Sequence, residues 1–232
     1  MKIRILSCCL LLLAIAPKTF AQEKQAGRKP LPDTSANGGN RYGIPSNWTA
    51  ETISLPPKFA PTIPIQGTET IWFSPGWGKD HAPDYWTYCF LWTLKNGPVT
   101  NDGQETKRGQ ETKPPNNHLI RKEELEKYLA DYYTGLIKSN LSATNEHAQT
   151  GMPVTVNLQA DKKNGRDVQD FEGHVRMIDY MTQKPLELFL RVHVKRQKLR
   201  SQQTLVFIEA SPQSFNNMVI WRPFDNISNK IR

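Results

Sequence analysis

The second half of the chain is dominated by segments in which apolar and polar residues alternate, and this pattern constrains the fold most. Between residues 154 and 210 the alternation recurs over four stretches of strand length. Because successive side chains of a β-strand point to opposite faces, such segments form a sheet with one apolar and one polar face. The sequence therefore predicts an antiparallel meander of four strands, at 154–160, 170–178, 186–195 and 203–210.

A hairpin signal sets the expected register of this meander. The dipeptide Asn164-Gly165 suits the positive φ angles of a type I′ turn between the first two strands. With this turn, Leu158 lies opposite Phe171, and the apolar residues of both strands share one face. The same matching of faces places Glu172 opposite His193 in the next hairpin.

One strong helix is predicted before the meander, at residues 121–141. Gly135 interrupts the helix, which lowers helix stability and is explained if another segment packs closely against it. The apolar residues recur at spacings of three and four and form a single stripe that would cover the apolar face of the sheet. This stripe consists of Leu125, Tyr128, Leu129, Tyr132, Leu136 and Ile137.

Two further strands are predicted ahead of the helix, at 68–74 and 85–94. They belong to an aromatic stretch, residues 69–92, for which two interpretations remain open: the wall of a hydrophobic core, or a stacking platform for sugars or a partner. The second strand carries an aromatic face made of Trp86, Tyr88, Phe90 and Trp92.

Near the C-terminus the sequence predicts a short helix that begins around Pro223, which suits a first helical turn. Phe224, Ile227 and Ile231 would share one face of this helix, and Trp221 would anchor it. The fold class is therefore α+β: an antiparallel four-stranded meander packed on one main helix, with two N-terminal strands and a short C-terminal helix.

The domain organisation follows from composition. Residues 46–232 are predicted to form a single α+β domain with a polar insertion at 96–118, which contains the sequence GQETK twice. Residues 22–45 are polar and rich in Gly and Pro, so they offer little to bury and are predicted to be a disordered leader.

The first 21 residues have the layout of a secretory signal peptide. Lys2 and Arg4 precede a twelve-residue apolar run, and Ala21 provides a small residue at the expected cleavage site. The run is too short to span a bilayer, and no later stretch is apolar enough. We therefore expect an exported protein, periplasmic or extracellular, without a membrane span.

Removal of this segment would leave Cys89 as the single cysteine, which excludes an internal disulfide and a cysteine-based zinc site. The formal charge would fall from +8 to +5, because Lys2, Arg4 and Lys18 would leave. The remaining cations are spread along the chain, which argues against a nucleic-acid partner. We expect no cofactor and no metal.

Two surfaces are candidate ligand-binding sites. The first is the loop that contains Trp77, His81 and Asp84, where Trp77 follows Pro75-Gly76 and could be exposed for contact. His81 and Asp84 alone do not provide enough ligands for a metal site.

The second candidate is the polar face of the predicted meander, called the outer face below. Three interpretations of it are open: solvated cross-strand ion pairs, a surface for an anionic ligand, or acid–base catalysis by His174, His193 and Glu172. Matching of the strands also places Glu209 near Arg191. The outer face comprises Glu172, His174, Arg176, Arg191, His193, Lys195 and Glu209.

Several segments resemble a family of exported bacterial proteins that has no established activity. The resemblance runs from Trp48 to the C-terminus and rests on the turns Phe59-Ala60-Pro61 and Ser74-Pro75-Gly76 and on the pair Tyr85-Trp86. The predicted signal peptide at residues 1–21 is similar to those of Bacteroidetes, which often end in Ala followed by Gln. The resemblance implies a bacterial source and an exported address, and it transfers no catalytic residue.

The expected function is that of an exported, non-enzymatic domain that binds an envelope protein or a glycan. The alternative is a hydrolase-type enzyme that uses the outer face, and a third interpretation is a purely structural envelope protein. A concave pocket that holds the catalytic groups would distinguish an enzyme from a flat binding face. The sequence gives no oligomeric state.

Overall fold

The computed structural model describes residues 41–95, 119–142, 152–161, 165, 167–197 and 203–231. All of them belong to one compact unit, Ser35–Arg232. The predicted signal peptide and the polar insertion at 96–118 lie outside the described residues.

Seven strands join one antiparallel sheet in the order β1-β2-β3-β7-β6-β5-β4. The predicted four-stranded meander on one main helix is therefore wrong, because both groups of strands form a single sheet that lies between two helices. Along the chain the elements are β1 (Thr49–Leu55), β2 (Gly67–Phe73), β3 (Tyr88–Lys95), α1 (Lys122–Ser142), β4 (Thr155–Ala160), β5 (Val168–Ile178), β6 (Pro185–Gln197), β7 (Gln203–Ser211) and α2 (Met218–Ile231).

The two groups of strands meet where β3 pairs with β7, for example at Phe90 and Ile208. Both strands are buried on both faces along most of their length. A strand with two buried faces needs neighbours on both edges and layers above and below, which is why β3 and β7 lie in the centre of the sheet. No short-range signal specifies this pairing, because its partners are far apart in sequence.

Helix α1 covers one face of the sheet, as its apolar stripe predicts. Its buried residues pack with the apolar sets of β3, β5, β6 and β7 in the larger hydrophobic core. Gly135 lies against Phe59, and a Cβ at this position would overlap the carbonyl oxygen of Phe59. The expectation of a close approach at Gly135 is thus confirmed.

Helix α2 covers the opposite face, so the outer face is not simply solvated. Trp221, Phe224, Ile227 and Ile231 are buried in a second apolar cluster, as predicted. Pro223 lies inside α2 and not in its first turn. The sheet residues of this cluster are Trp72, Cys89, Leu91, Leu205 and Phe207.

Both hairpins of the β4–β6 region differ from the predicted register by two residues. Ala160 pairs with Phe171, and Asp170, not Glu172, pairs with His193. The pairing of the first hairpin continues one residue beyond β4, because the Asp161 N–H donates to the carbonyl of Asp170. A shift of two residues keeps every side chain on its predicted face, so the predicted apolar and polar sets survive.

The packed region also includes part of the segment predicted as a leader. Tyr42 and Ile44 pack against the cluster beneath α2, and the Tyr42 ring lies 5.9 Å from that of Trp72. These residues therefore contribute to the layer that covers β2.

Candidate functional site

A cleft of about 510 Å³ lies on the outer face, between the edge of the sheet and the C-terminal half of α2. This volume lies within the size range of ligand sites in proteins. The polar lining of the cleft comes from the β4 region, β5, β6 and α2. These residues are Gln159, Asp161, Asp170, Glu172, Arg191, His193, Asp225, Ser228 and Asn229.

The strands place the charged groups of the cleft by simple alternation. Asp170 and Glu172 are two residues apart on β5, and Arg191 and His193 are two apart on β6, so all four share the outer face. Asp170 lies opposite His193, and Glu172 lies opposite Arg191. On the other side of β6, Arg191 lies opposite Glu209 of β7, which confirms the predicted proximity of these two residues. Charges of opposite sign therefore face each other across each strand pair.

His193 is held between two carboxyl groups. Its Nδ1 lies 2.6 Å from Oδ1 of Asp170, and its Nε2 lies 3.6 Å from Oε1 of Glu209. Only 7% of the side chain is exposed, and the ring stacks on Phe207. A general base needs a ring nitrogen within reach of substrate, whereas both nitrogens of His193 face carboxyl groups of the protein. The imidazole is therefore fixed between carboxyl groups of the protein on both sides.

Arg191 is the centre of a second set of ion pairs. Its Nη1 lies 2.7 Å from Oδ1 of Asp225 and 3.9 Å from Oε2 of Glu209. Its Nε lies 3.5 Å from Oε1 of Glu172, and its guanidinium carbon lies 4.7 Å from the centre of the Trp221 ring. These contacts fix the guanidinium in position and connect β6 to α2.

Glu209 forms the floor of this charged cluster. It is fully buried, and neither of its carboxylate oxygens has a hydrogen-bond partner. Burial, together with the charge of Glu209, raises the pKa of the Cys89 thiol well above its usual range. Cys89 is also fully buried, so it is a packing residue and not a reactive thiol.

The predicted residues of the outer face divide into two groups. Glu172, Arg191 and His193 line the cleft. The other four residues of the outer face do not, namely His174, Arg176, Lys195 and Glu209. Arg176 instead pairs with Glu187, at 2.8 Å between Nε and Oε1. The proposed catalytic set of His174, His193 and Glu172 is therefore not brought together.

Sequence reasoning missed three acidic residues of the cleft: Asp161, Asp170 and Asp225. The alternation on β5 could have found Asp170, because it shares the face of Glu172. No sequence signal could have found Asp225, since its place depends on how α2 docks onto the sheet.

The aromatic stretch is the wall of the core. Trp86, Phe90 and Trp92 are fully buried beneath α1. Trp77 is half-buried at the rim of this core, where its ring centre lies 4.6 Å from that of Phe73. The buried aromatic residues of the strand therefore do not form a stacking platform. The ring of Trp77 is only partly accessible.

The loop around Trp77 does not assemble a site from its polar residues. Asp84 accepts a hydrogen bond from the Gly76 N–H at 2.9 Å, which holds the loop closed. The His81 side chain is exposed and pairs with Asp80. Asp84 is therefore a structural residue here, and His81 points to a different partner.

A buried carboxyl group also lies in the core beneath α1. The Tyr132 hydroxyl donates to Oε1 of Glu69 at 2.8 Å, and the other oxygen of Glu69 has no hydrogen-bond partner. Burial raises the pKa of Glu69 to about 8. Glu69 is fully buried and does not line the cleft described above, so we expect its effect to be on stability.

Within the described ranges, no group of three or more His, Cys, Asp or Glu residues has the geometry to hold a metal ion. Neither helix of this part of the chain combines the length and apolar character that crossing a bilayer requires.

No protein-family model, no curated protein sequence and no solved structure matches this chain. The resemblance to exported bacterial proteins therefore stays a prediction, and function must be argued from the cleft itself.

Proposed function

We propose that this protein is an exported, non-enzymatic domain that binds a polar ligand, or a polar segment of a partner, in the cleft beside α2. The observation that carries this proposal is the state of His193. The cleft has a polar lining from four elements, and the imidazole of His193 in this lining is held between Asp170 and Glu209. Because both ring nitrogens face carboxyl groups of the protein, neither is directed at a ligand, and this favours recognition over proton transfer.

The size and lining of the cleft support the same conclusion. A volume of about 510 Å³ falls within the range of sites for small molecules or short chain segments. Gln159, Ser228 and Asn229 offer neutral donors and acceptors beside the charged groups. The predicted signal peptide supports an address in the cell envelope, where glycans and peptides of this size are available.

A hydrolase is the alternative, and the cleft is concave, so its shape alone does not dismiss catalysis. The placement of the two histidines is the stronger argument against catalysis. His174 lies outside the cleft, and both ring nitrogens of His193 face protein carboxyl groups. We therefore favour binding without turnover.

A pair of substitutions on one strand tests the site. Gln159→Trp places a large side chain in the cleft from the exposed surface of β4. Asn157→Trp places the same side chain on the same face two residues away, outside the cleft. We expect Gln159→Trp to weaken binding at least tenfold and Asn157→Trp to leave it unchanged. The measurement is an NMR titration of each variant with a panel of envelope glycans and peptides.

Two results would overturn the proposal. The first is a panel in which no compound shifts the amide resonances of the cleft residues. The second is chemical conversion of a bound compound, which mass spectrometry of the recovered ligand would detect. Binding with recovery of an unchanged ligand supports the proposal.

A further inference from the structure

We infer that the cleft binds a ligand through a cationic group, either an ammonium or a guanidinium. This inference rests on the proposed function, because it specifies the chemistry of the ligand in the same cleft. It is opposite in sign to one of the three interpretations from sequence, in which the outer face binds an anionic ligand.

The charge balance of the described cleft residues is negative. One guanidinium and one imidazole, those of Arg191 and His193, share the lining with four carboxyl groups, so an excess of at least two formal negative charges remains even if the imidazole is protonated. These four carboxyl groups are those of Asp161, Asp170, Glu172 and Asp225.

Glu209 is a second and independent observation. It is fully buried, it has no hydrogen-bond donor to either oxygen, and it faces Arg191 and His193 from below. A buried carboxylate without donors needs positive charge nearby. Arg191 and His193 therefore lie between Glu209 and the carboxyl groups of the lining, and neither is directed at the lining alone.

The rim carboxyl groups are accessible to a ligand. The side chain of Glu172 is 63% exposed and that of Asp225 is 41% exposed. The contact between Glu172 and Arg191 is long, at 3.5 Å from Nε to Oε1. A ligand ammonium that approaches the rim would therefore meet oxygen acceptors before it meets Arg191.

This negative region belongs to a chain with a formal charge of +8, so its sign is opposite to that of the molecule. A cation is attracted by the cleft locally, although the whole chain repels it weakly. Lys162, Lys163 and Arg166 follow Asp161 in sequence and lie outside the described residues. For this reason the test includes an anionic probe.

The test uses NMR titrations of the purified protein with four probes. Tri-lysine represents a basic peptide, and spermidine represents a free amine. Tri-lysine acetylated on every side chain is the matched neutral peptide, and tri-glutamate is the anionic one. We expect tri-lysine or spermidine to shift the amide resonances of the cleft residues, and we expect added salt to weaken this binding.

Two single substitutions locate the effect. Glu172→Gln removes one rim charge and is expected to raise the Kd of the cationic probe about threefold, the size of a contact at an exposed site. Glu123→Gln, at an exposed position of α1 on the other side of the sheet, is the matched control and should leave Kd unchanged.

The inference is overturned if the acetylated peptide binds as tightly as tri-lysine, or if tri-glutamate binds the cleft more tightly. Either result would leave the proposed binding function standing, because a ligand would still occupy the cleft. It is also overturned if no cationic probe shifts these resonances, and the titrations of Gln159→Trp then decide separately whether the cleft binds anything.

Discussion

At the scale of single residues, Glu69 is a carboxyl group that is fully buried in the folded protein. The alternation of β2 directs it into the core together with Ile71, where the Tyr132 hydroxyl donates a hydrogen bond to it. Burial disfavours the charged carboxylate, and the pKa of Glu69 rises from 4.5 to about 8. The folded protein therefore holds a proton on Glu69 that the unfolded chain releases at a lower pH.

This difference predicts a pH-dependent stability. Because the pKa of Glu69 is higher in the folded state, the free energy of unfolding is expected to fall as pH rises from about 4.5 and to level off above about 8. In the wild-type protein we expect the free energy of unfolding to fall by a few kcal/mol between these two pH values. Glu69→Gln should not show this fall. Urea unfolding of both proteins at a series of pH values measures the effect.

The matched control for this prediction is Glu123→Gln, which changes a carboxyl group at the exposed start of α1. Its stability should follow the pH dependence of the wild-type protein. Parallel curves for Glu69→Gln and the wild type would contradict the assignment of this slope to Glu69.

At the scale of elements, each helix covers one face of the sheet, and each is held by a specific close contact. Helix α1 approaches the chain at Phe59 through Gly135, and α2 is anchored by Trp221. The indole N–H of Trp221 donates to the carbonyl of Gln213 at 3.0 Å, so this large side chain is also satisfied as a donor.

Removal of the Trp221 side chain should detach α2 from the sheet. Trp221→Ala leaves a large cavity and is expected to lower the free energy of unfolding by about 3–5 kcal/mol. Val219→Ala, where the side chain is 83% exposed, should change it by less than about 0.5 kcal/mol. Urea unfolding compares the two variants, and equal losses would show that Trp221 does not anchor the helix.

At Gly135, helix propensity and packing predict opposite effects of a substitution by alanine on stability. Ala is the better helix former by about 1 kcal/mol, but its Cβ would overlap the carbonyl oxygen of Phe59. We therefore expect Gly135→Ala to destabilise the protein by about 1–3 kcal/mol. Lys127→Ala at an exposed helix position is the control and should change stability little. A gain in stability for Gly135→Ala in thermal or urea unfolding would contradict the close contact.

At the scale of the whole molecule, the sheet is built from two meanders that α1 connects from one side to the other. Strands β1–β3 form the first, α1 leads to the far edge at β4, and β4–β7 return to pair with β3. The C-terminal α2 then lies over the outer face, where its apolar residues cover β3 and β7. The cleft forms where this cover meets the charged part of β5 and β6.

The predicted signal peptide leads to a prediction about where the protein is found in the cell. If residues 1–21 are a signal peptide, the mature protein begins at Gln22 and is found outside the cytoplasm. Fractionation of bacterial cells that express the protein shows its location, and N-terminal analysis of the recovered protein shows its first residue. A cytoplasmic protein that still carries the leader would contradict the proposed export.

The sequence by itself determined the periodic properties of this protein. Alternation assigned Leu158, Phe171 and Val192 to the covered face, and the three-to-four spacing gave α1 its apolar stripe. These assignments succeeded because the period of a strand or a helix is a local property that neighbouring residues set. They survived even the two-residue error in hairpin register, since that shift preserves the face.

Only the tertiary structure decided how the elements combine. The pairing of β3 with β7 and the docking of α2 depend on which apolar faces bury each other, and no local signal records that choice. The same docking brought Asp225 to Arg191 and enclosed Glu209 beneath it. A face whose candidate residues had looked mostly basic from sequence thus became a negatively charged cleft, because its charge depends on residues that are distant along the chain.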